Sequence, residues 1–386
     1  MLAWQRQVWP VHALTPGPSR AVPMLCLPAS TASSSNPCGR GMLGVEVHTM
    51  NRTRWCCAGV VALVCVAGLG ALAEPCTVTV GPGESIQAAI DAAPEGATIC
   101  LAQGVWEEHL AIRKSLTLRG AGAEETTIRG HRADTAVIRV HTPEDEEGMV
   151  VLEGLGVTGG SGMYGPGLLV EAASRVAVID CGVFDNGFGI WLKGTAQATL
   201  SRTHVFDNAA TGIWLADSSR STIADCTVSD NAFSGIWLTG EAQSVIDEVM
   251  AKGNREGVGL TDASYARIES SSIVGNQRRG ISINEFARVS ITGCSIVDNG
   301  WEGVYIAGSA EATLEGNVIQ GNQRYGVLLF ERPCITTDSV FAGYVAGRRN
   351  LIPWPELPGG NRFGEVCPAD LDFLLTTDGG ELDRRE

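Results

Sequence analysis

The chain of 386 residues carries 28 basic and 43 acidic residues, a formal net charge of −15, with 44% apolar and only 6% aromatic content. Beyond residue 73 the imbalance sharpens to 23 basic against 42 acidic residues, net −19. A surface of that sign repels nucleic acid, anionic lipid and polyanionic glycans alike, so no nucleic-acid partner is expected.

Residues 1–49 show no periodicity and read as a non-native upstream extension, whereas the chain from Met50 reads like the start of an exported protein. Arg52 and Arg54 form a basic n-region, 55–72 a hydrophobic run, and Ala71 with Ala73 a small-residue cleavage site ahead of Glu74. Residues 50–73 are therefore expected to be a signal peptide, with a membrane anchor as the competing reading because about 19 apolar residues can span a bilayer. Either way the rest of the chain is secreted, periplasmic or held at the cell envelope, and no other membrane contact is indicated.

Residues 85–93 are the one good helix. Ser85 can cap its start, and Ile86, Ala89, Ile90 and Ala93 make an apolar stripe. Standing ahead of a first strand at 97–101, the helix is expected to close the end of whatever follows. Strands are expected near 110–112, 116–118, 127–128, 137–140 and 150–155, with an acidic loop at 143–148 and a glycine-rich one at 159–165.

From Gly167 to Phe330 the sequence repeats itself. The tetrapeptide Gly-Ile-Trp-Leu begins at Gly189, Gly212 and Gly235, and fainter copies begin at Gly167, Gly257, Gly280, Gly303 and Gly326, always 22 or 23 residues apart. An asparagine keeps the same beat at Asn186, Asn208, Asn231, Asn254, Asn276, Asn299 and Asn322. Within each copy three inward apolar positions recur at fixed offsets, as in Leu192, Leu200 and Val205, and each belongs to a short run of period 2. Period 2 means strands, and three strands per repeat without a helix mean a coil whose strands pair in parallel with those of the next turn. Turns stacked about 4.8 Å apart would bury a column that no single turn could bury alone. The corner position holding Ser174, Ala196, Ser219, Ala242, Ser264, Ala287 or Ala310 has room only for a small side chain.

This pattern resembles the right-handed, single-stranded parallel β-helix of the pectin-lyase-like superfamily, with the secreted or periplasmic β-helix repeat proteins as nearest relatives. The resemblance covers about 78–375. It implies an all-β solenoid with an N-terminal capping helix, and an inward asparagine ladder whose amides bond along the stack. The expected organisation is a β-helix over 74–330, with regular repeats from 167, then C-terminal coils and a cap over 331–375, and an acidic tail over 376–386. Asn350 and Asn361 read as two further rungs.

The cysteines beyond residue 73 divide by position. Cys181, Cys226 and Cys294 share one inward site two or three turns apart, too far for a disulfide, and serve as core fillers. Cys76 with Cys100 and Cys334 with Cys367 fit as end clamps in an oxidising compartment; a metal site competes, but the close paired spacing of zinc ligands is missing.

Function has to lie on outward positions. On the first strand of successive turns these run Leu169, Trp191, Trp214, Trp237, Gly259, Ser282, Tyr305 and Leu328, with Phe188, Phe233 and Trp301 in the turn just before. Stacked outward aromatics mark a binding surface or something packed over it. The functional reading is a glycan groove or a site for a cell-surface protein; the structural one is that the 159–165 loop or the C-terminal segment covers the rings.

The alternative, a polysaccharide lyase, hydrolase or epimerase, needs carboxylates on a strand face. None appears among the outward residues of the second and third strands, and no catalytic signature is present. A spacer or adhesin without binding chemistry is the second alternative. Acids gather in turns instead, at Asp180, Asp225, Asp247, Glu248, Glu269 and Glu315, and at Asp185, Asp207, Asp230 and Asp298. Calcium in either row is the one cofactor the sequence leaves open. His204 is the only outward histidine of the repeat, and His109, His131 and His141 are scattered without a methionine-rich segment, so no metal site is assigned.

Overall fold

The computed structural model describes residues 75–143, 148–162, 164–331, 334–337 and 363–366. The expectations for 1–49, 50–73 and 376–386 lie outside these residues, as do the rungs at Asn350 and Asn361. Short strands wind into three sheets of 13, 10 and 10 strands, and every pairing but one is parallel. The tryptophan sheet takes the first strand of each coil, the broad 13-stranded sheet the second, and the third sheet the last.

Three columns fill the interior as the repeat requires. Leu192, Leu215, Leu238, Leu200, Ile223, Ile246, Val205 and Val228 are all fully buried, and they stand opposite their counterparts one coil away. At about 25 cal/mol per Å² of apolar area, that continuous column is what one isolated coil lacks. The small corner residues, among them Ser174, Ala196, Ala242 and Ala310, are completely buried.

The asparagine ladder runs unbroken from Asn186 to Asn322. From Asn208 on, each Oδ1 accepts the backbone N–H and one side-chain amide hydrogen of the asparagine one coil earlier, at 2.9–3.2 Å, as Asn254 does from Asn231, and Asn186 Oδ1 accepts from the Gly160 N–H. The repeat glycines are explained by the same ladder. None of Gly189, Gly212, Gly235 or Gly257 has a positive φ. A Cβ on Gly235 would instead stand 2.7 Å from Asn254 Nδ2 and 2.8 Å from the Gly257 oxygen, so the glycine is there for space.

Left-handed conformation is used at the corners, and there it accounts for the acids. One corner column reads Asp180, Arg202, Asp225, Glu248, Ser270, Gly293 and Gly316, and another Asp185, Asp207, Asp230, Gly253, Gly275, Asp298 and Gly321, all with φ between 47° and 67°. Glycine, and after it asparagine and aspartate, tolerate this region best, so the aspartates and glycines of these rows follow from turn geometry. Asp247, Glu269 and Glu315 end strands of the broad sheet one residue earlier.

At the N-terminal end a strand missed in the sequence, Val78–Val80, comes before the helix and pairs with Thr98–Leu101. The helix spans Ile86–Ala92, Ser85 caps it by accepting from the Ala88 N–H, and Ile86 and Ile90 are buried. The Glu108 carboxylate accepts from the N–H groups of Ile86 and Gln87 at 3.1 and 3.0 Å. Gln87 in turn accepts from the Ala111 N–H at 2.8 Å and donates to the Ala111 oxygen at 3.2 Å. Its carboxamide thereby does for Leu110–Ile112, the edge strand of the tryptophan sheet, what another strand would do. Cys76 and Cys100 form a disulfide with Cα atoms 5.6 Å apart. The Cys334–Cys367 pairing lies outside the described side chains. Cys181, Cys226 and Cys294 are buried free thiols, as their column position requires. At the other end Phe363–Val366 runs antiparallel to Cys334–Thr337.

Candidate functional site

The outward column of the tryptophan sheet is in the register the sequence implied: Trp191 pairs with Trp214, Trp214 with Trp237, Trp237 with Gly259, Ser282 with Tyr305 and Tyr305 with Leu328. Ring orientation is not what a row of sugar platforms would need. Trp191 and Trp214 stack with centroids 4.5 Å apart at 8°, and Trp214 and Trp237 at 5.4 Å and 18°. Strand spacing matches a ring-stacking distance, so indoles in one register pile on one another and turn their edges outward. Phe188, buried, packs against both Trp191 and Trp214 at 5.7 and 5.2 Å. Among the described residues the pile ends at Trp237, because the next coil offers Gly259, whose backbone lies close enough to the indole that a Cβ there would stand 3.2 Å from Trp237 Cδ1.

An open groove of about 780 Å³ runs beside the pile. Phe188, Trp214, Phe233 and Trp237 line it together, with Tyr164, Arg255, Glu256 and Arg278, which the sequence reading had not gathered. Gly162 and Tyr164 border the groove, so the described part of the glycine-rich loop forms a wall of the site while Trp214 and Trp237 stay partly exposed. Phe233 is 48% exposed, its ring under the Arg255 guanidinium at 5.3 Å. The Trp214 indole N–H donates to Thr239 Oγ1 at 3.1 Å; the shielded N–H of Trp191 has no acceptor, because Ala216 stands where the next coil has Thr239.

Trp301 and Tyr305 do not join that groove. Gly259 and Ser282 separate them from Trp237, and arginines occupy them: Arg278 and Arg324 lie over Trp301 at 4.5 and 4.3 Å, and Arg279 lies over Tyr305 at 3.8 Å. Buried Glu302 accepts from Arg279 Nε at 3.1 Å and lies 3.8 Å from Arg324, while Glu256 lies 3.6 Å from Arg279. Beyond the other end of the pile Glu171, also buried, is bonded by Arg139 and by Lys193 at 2.9 Å. Burial alone would raise its pKa, but the bonds from Lys193 and Arg139 outweigh that and hold the carboxyl below the usual range.

No group of three or more His, Cys, Asp or Glu side chains is placed to hold a metal ion among the described residues. His109 is structural: Nδ1 bonds the Ala136 oxygen at 2.8 Å, and Nε2 accepts from the N–H groups of His131 and Arg132. His204 stacks on Phe206 at 4.2 Å with Nε2 3.0 Å from Ser229 Oγ, and burial lowers its pKa.

A three-sheeted parallel solenoid with an aromatic groove along one face defines a β-helix protein. The family model described as the right handed beta helix region matches residues 145–248 and 188–340, together just over half of the chain, and the chain belongs to that family. No curated protein matched the sequence. Among solved structures the A-module of the Azotobacter vinelandii mannuronan C-5 epimerase AlgE6 is similar, with TM-score 0.54 and 22% identity over 63% of this chain and 74% of that one. The A-module of AlgE4 from the same organism gives 0.54 and 21% over 65% and 81%. ORF18 of Geobacillus virus E2 gives 0.51 and 14% over 68% and 58%. At these identities the likeness is one of fold.

Proposed function

We propose that this is an exported β-helix protein that binds a polysaccharide chain in the groove beside Trp214 and Trp237. The observation that carries the reading is the combination of an open aromatic groove with a partly exposed indole at the end of the pile and an exposed phenyl ring beside it, at Trp237 and Phe233. A pyranose ring presents an apolar face that packs on such surfaces, and a groove running across many coils suits an extended polymer better than a compact ligand. The Cys76–Cys100 disulfide supports export to an oxidising compartment.

The enzyme reading draws support from the fold shared with the mannuronan epimerases. Against it, among the described residues Glu256 is the one carboxylate lining the groove, and it lies 3.6 Å from Arg279. Titrating the chain from Glu74 with oligosaccharides while following tryptophan emission and ligand chain length separates the readings. Binding shifts the emission and leaves the chain intact; an enzyme releases reducing ends or unsaturated uronates, or inverts a sugar centre; a spacer does neither.

A further inference from the structure

The third sheet presents two outward columns, because its strands are three residues long and the middle residue points inward, as Val183, Val205 and Val228 do. From Gly182–Phe184 to Val318–Gln320 none of these outward positions is a carboxylate, and Lys252 is the one lysine or arginine. Phe184, Phe206, Met250, Val274, Val297 and Val318 make the face apolar; Met250 and Val318 are 40% and 44% exposed, and the other four are half-buried. The Phe184 and Phe206 rings stack at 5.0 Å, and His204 lies on Phe206.

Acids line both margins of this strip. The corner before its strands carries Asp180, Asp225 and Glu248, the corner after them Asp185, Asp207, Asp230 and Asp298, and all are exposed. Among the described residues only Asp180 of these has a basic side chain within 4.0 Å, that of Arg202. Turn geometry admits aspartate here, but asparagine or glycine would serve it as well, so the turns do not account for the charge. An apolar strip rimmed on both sides by negative charge fits a partner of the opposite pattern. Laid against itself in either direction it would set acid against acid, which disfavours a second copy, and the same rims repel an anionic membrane. The backbone groups of the strip are already paired from coil to coil, so an extended peptide finds no free partners on this face, whereas a helix brings its own backbone bonds. Six coil steps separate Gly182 from Val318, about 29 Å, the length of a helix of about 19 residues. At roughly 10 Å wide, the strip falls well short of the about 800 Å² per partner of a standard domain interface, and one helix covers it.

We propose that the outer face of the third sheet docks a basic amphipathic helix of a partner protein. The apolar stripe of that helix lies along Phe206, Met250, Val297 and Val318, and its flanking lysines or arginines meet Asp207 and Asp230 on one rim and Asp225 and Glu248 on the other. Lys252 is the opposing charge within the strip; its apolar stem lies beneath the helix with the ammonium turned to the rim. The face is built from other strands than the aromatic groove, so such a partner and a glycan would bind independently.

The test titrates the chain from Glu74 into three labelled synthetic peptides of about 18 residues, read by fluorescence anisotropy. One is an amphipathic leucine–lysine helix, the second has the same composition with its leucines dispersed around the helix, and the third is a leucine–glutamate helix of the first pattern. The amphipathic leucine–lysine peptide should bind at least about tenfold tighter than the dispersed one, and the leucine–glutamate peptide should not bind. Met250→Ser/Val318→Ser should weaken that binding about tenfold or more. Asp207→Asn/Asp230→Asn, which keeps residues that tolerate the left-handed corner, should weaken it about twofold or more and flatten its salt dependence. Lys252→Met should tighten it, and Glu241→Gln, at the corner before the broad sheet, should change nothing. Equal binding of the dispersed peptide, or binding indifferent to Met250→Ser/Val318→Ser, reduces the effect to net charge and overturns the proposal, as does no binding at all. Co-sedimentation with neutral phosphatidylcholine vesicles that Met250→Ser/Val318→Ser abolishes would overturn it in favour of a membrane face. A dimer in analytical ultracentrifugation that the same variant breaks would overturn it in favour of a second copy. Far-ultraviolet circular dichroism of each variant ensures that a lost signal is not lost fold.

Discussion

Replacing Asn254 by alanine tests what the ladder contributes. Its carboxamide is fully buried and makes four hydrogen bonds: Nδ2 donates to the Val228 oxygen at 2.9 Å and to Asn276 Oδ1 at 3.2 Å, and Oδ1 accepts from Asn231 N and Nδ2 at 3.0 and 2.9 Å. Truncation strands the Asn231 backbone N–H in the dry interior and takes one bond each from Asn231 Nδ2, Asn276 Oδ1 and the Val228 oxygen, which the strand ladder still serves. The orphaned N–H costs about 1–3 kcal/mol and the other lost bonds about 1 kcal/mol more, part of which one water entering the vacated space can recover, so the expected loss is roughly 2–4 kcal/mol. Equilibrium urea unfolding of the chain from Glu74, followed by tryptophan emission and circular dichroism, measures it. Because solenoids can unfold coil by coil, amide exchange at Asn231 gives the local reading. A loss below about 1 kcal/mol, with the Asn231 amide still protected, would refute the claim that the ladder satisfies the corner backbone.

Ala216→Thr should offer the shielded Trp191 indole N–H the acceptor that Thr239 gives Trp214, raising stability by about 1 kcal/mol; an unchanged urea midpoint would count against it. Gly235→Ala should cost about 1–3 kcal/mol or more by overpacking against Asn254 Nδ2 and the Gly257 oxygen, read by the same unfolding curve. Burial pushes the Cys181 and Cys226 thiols up to about 11, so at pH 8 both, with buried Cys294, should stay unmodified by iodoacetamide in the native protein and react once it is unfolded, as mass spectrometry would show. Glu171, with its folded pKa depressed, contributes stability that is present above its unfolded value and lost as pH falls through the folded one; Glu171→Gln should flatten that part of the pH–stability curve.

The coil was legible because its inward columns repeat at fixed offsets, and a slip of one residue would have turned Leu192 or Leu200 outward. The tryptophan register was legible for the same reason. Ring orientation was not: a column of outward indoles reads the same whether the rings lie open or pile at 4.5 Å, and only the backbone spacing decides. Arg255 and Arg278 were visible beside ladder residues, yet net charge hid their place in the groove, because summing over the chain discards position. The acidic corner rows could have been understood from sequence: Asp230, Gly253, Gly275 and Asp298 alternate at one position, and those two residue types share tolerance of the left-handed region. The reversed strand Phe363–Val366 follows the end of the period, where no column remained to fix its direction.

The central claim is that the groove at Phe233 and Trp237 holds a glycan. A glycan-array screen of the chain from Glu74, beside a Phe233→Ala/Trp237→Ala double variant shown to be folded by circular dichroism, tests it most directly. The account predicts binding by the native chain that the folded variant loses. Equal binding by the variant, or none by the native chain, would contradict it.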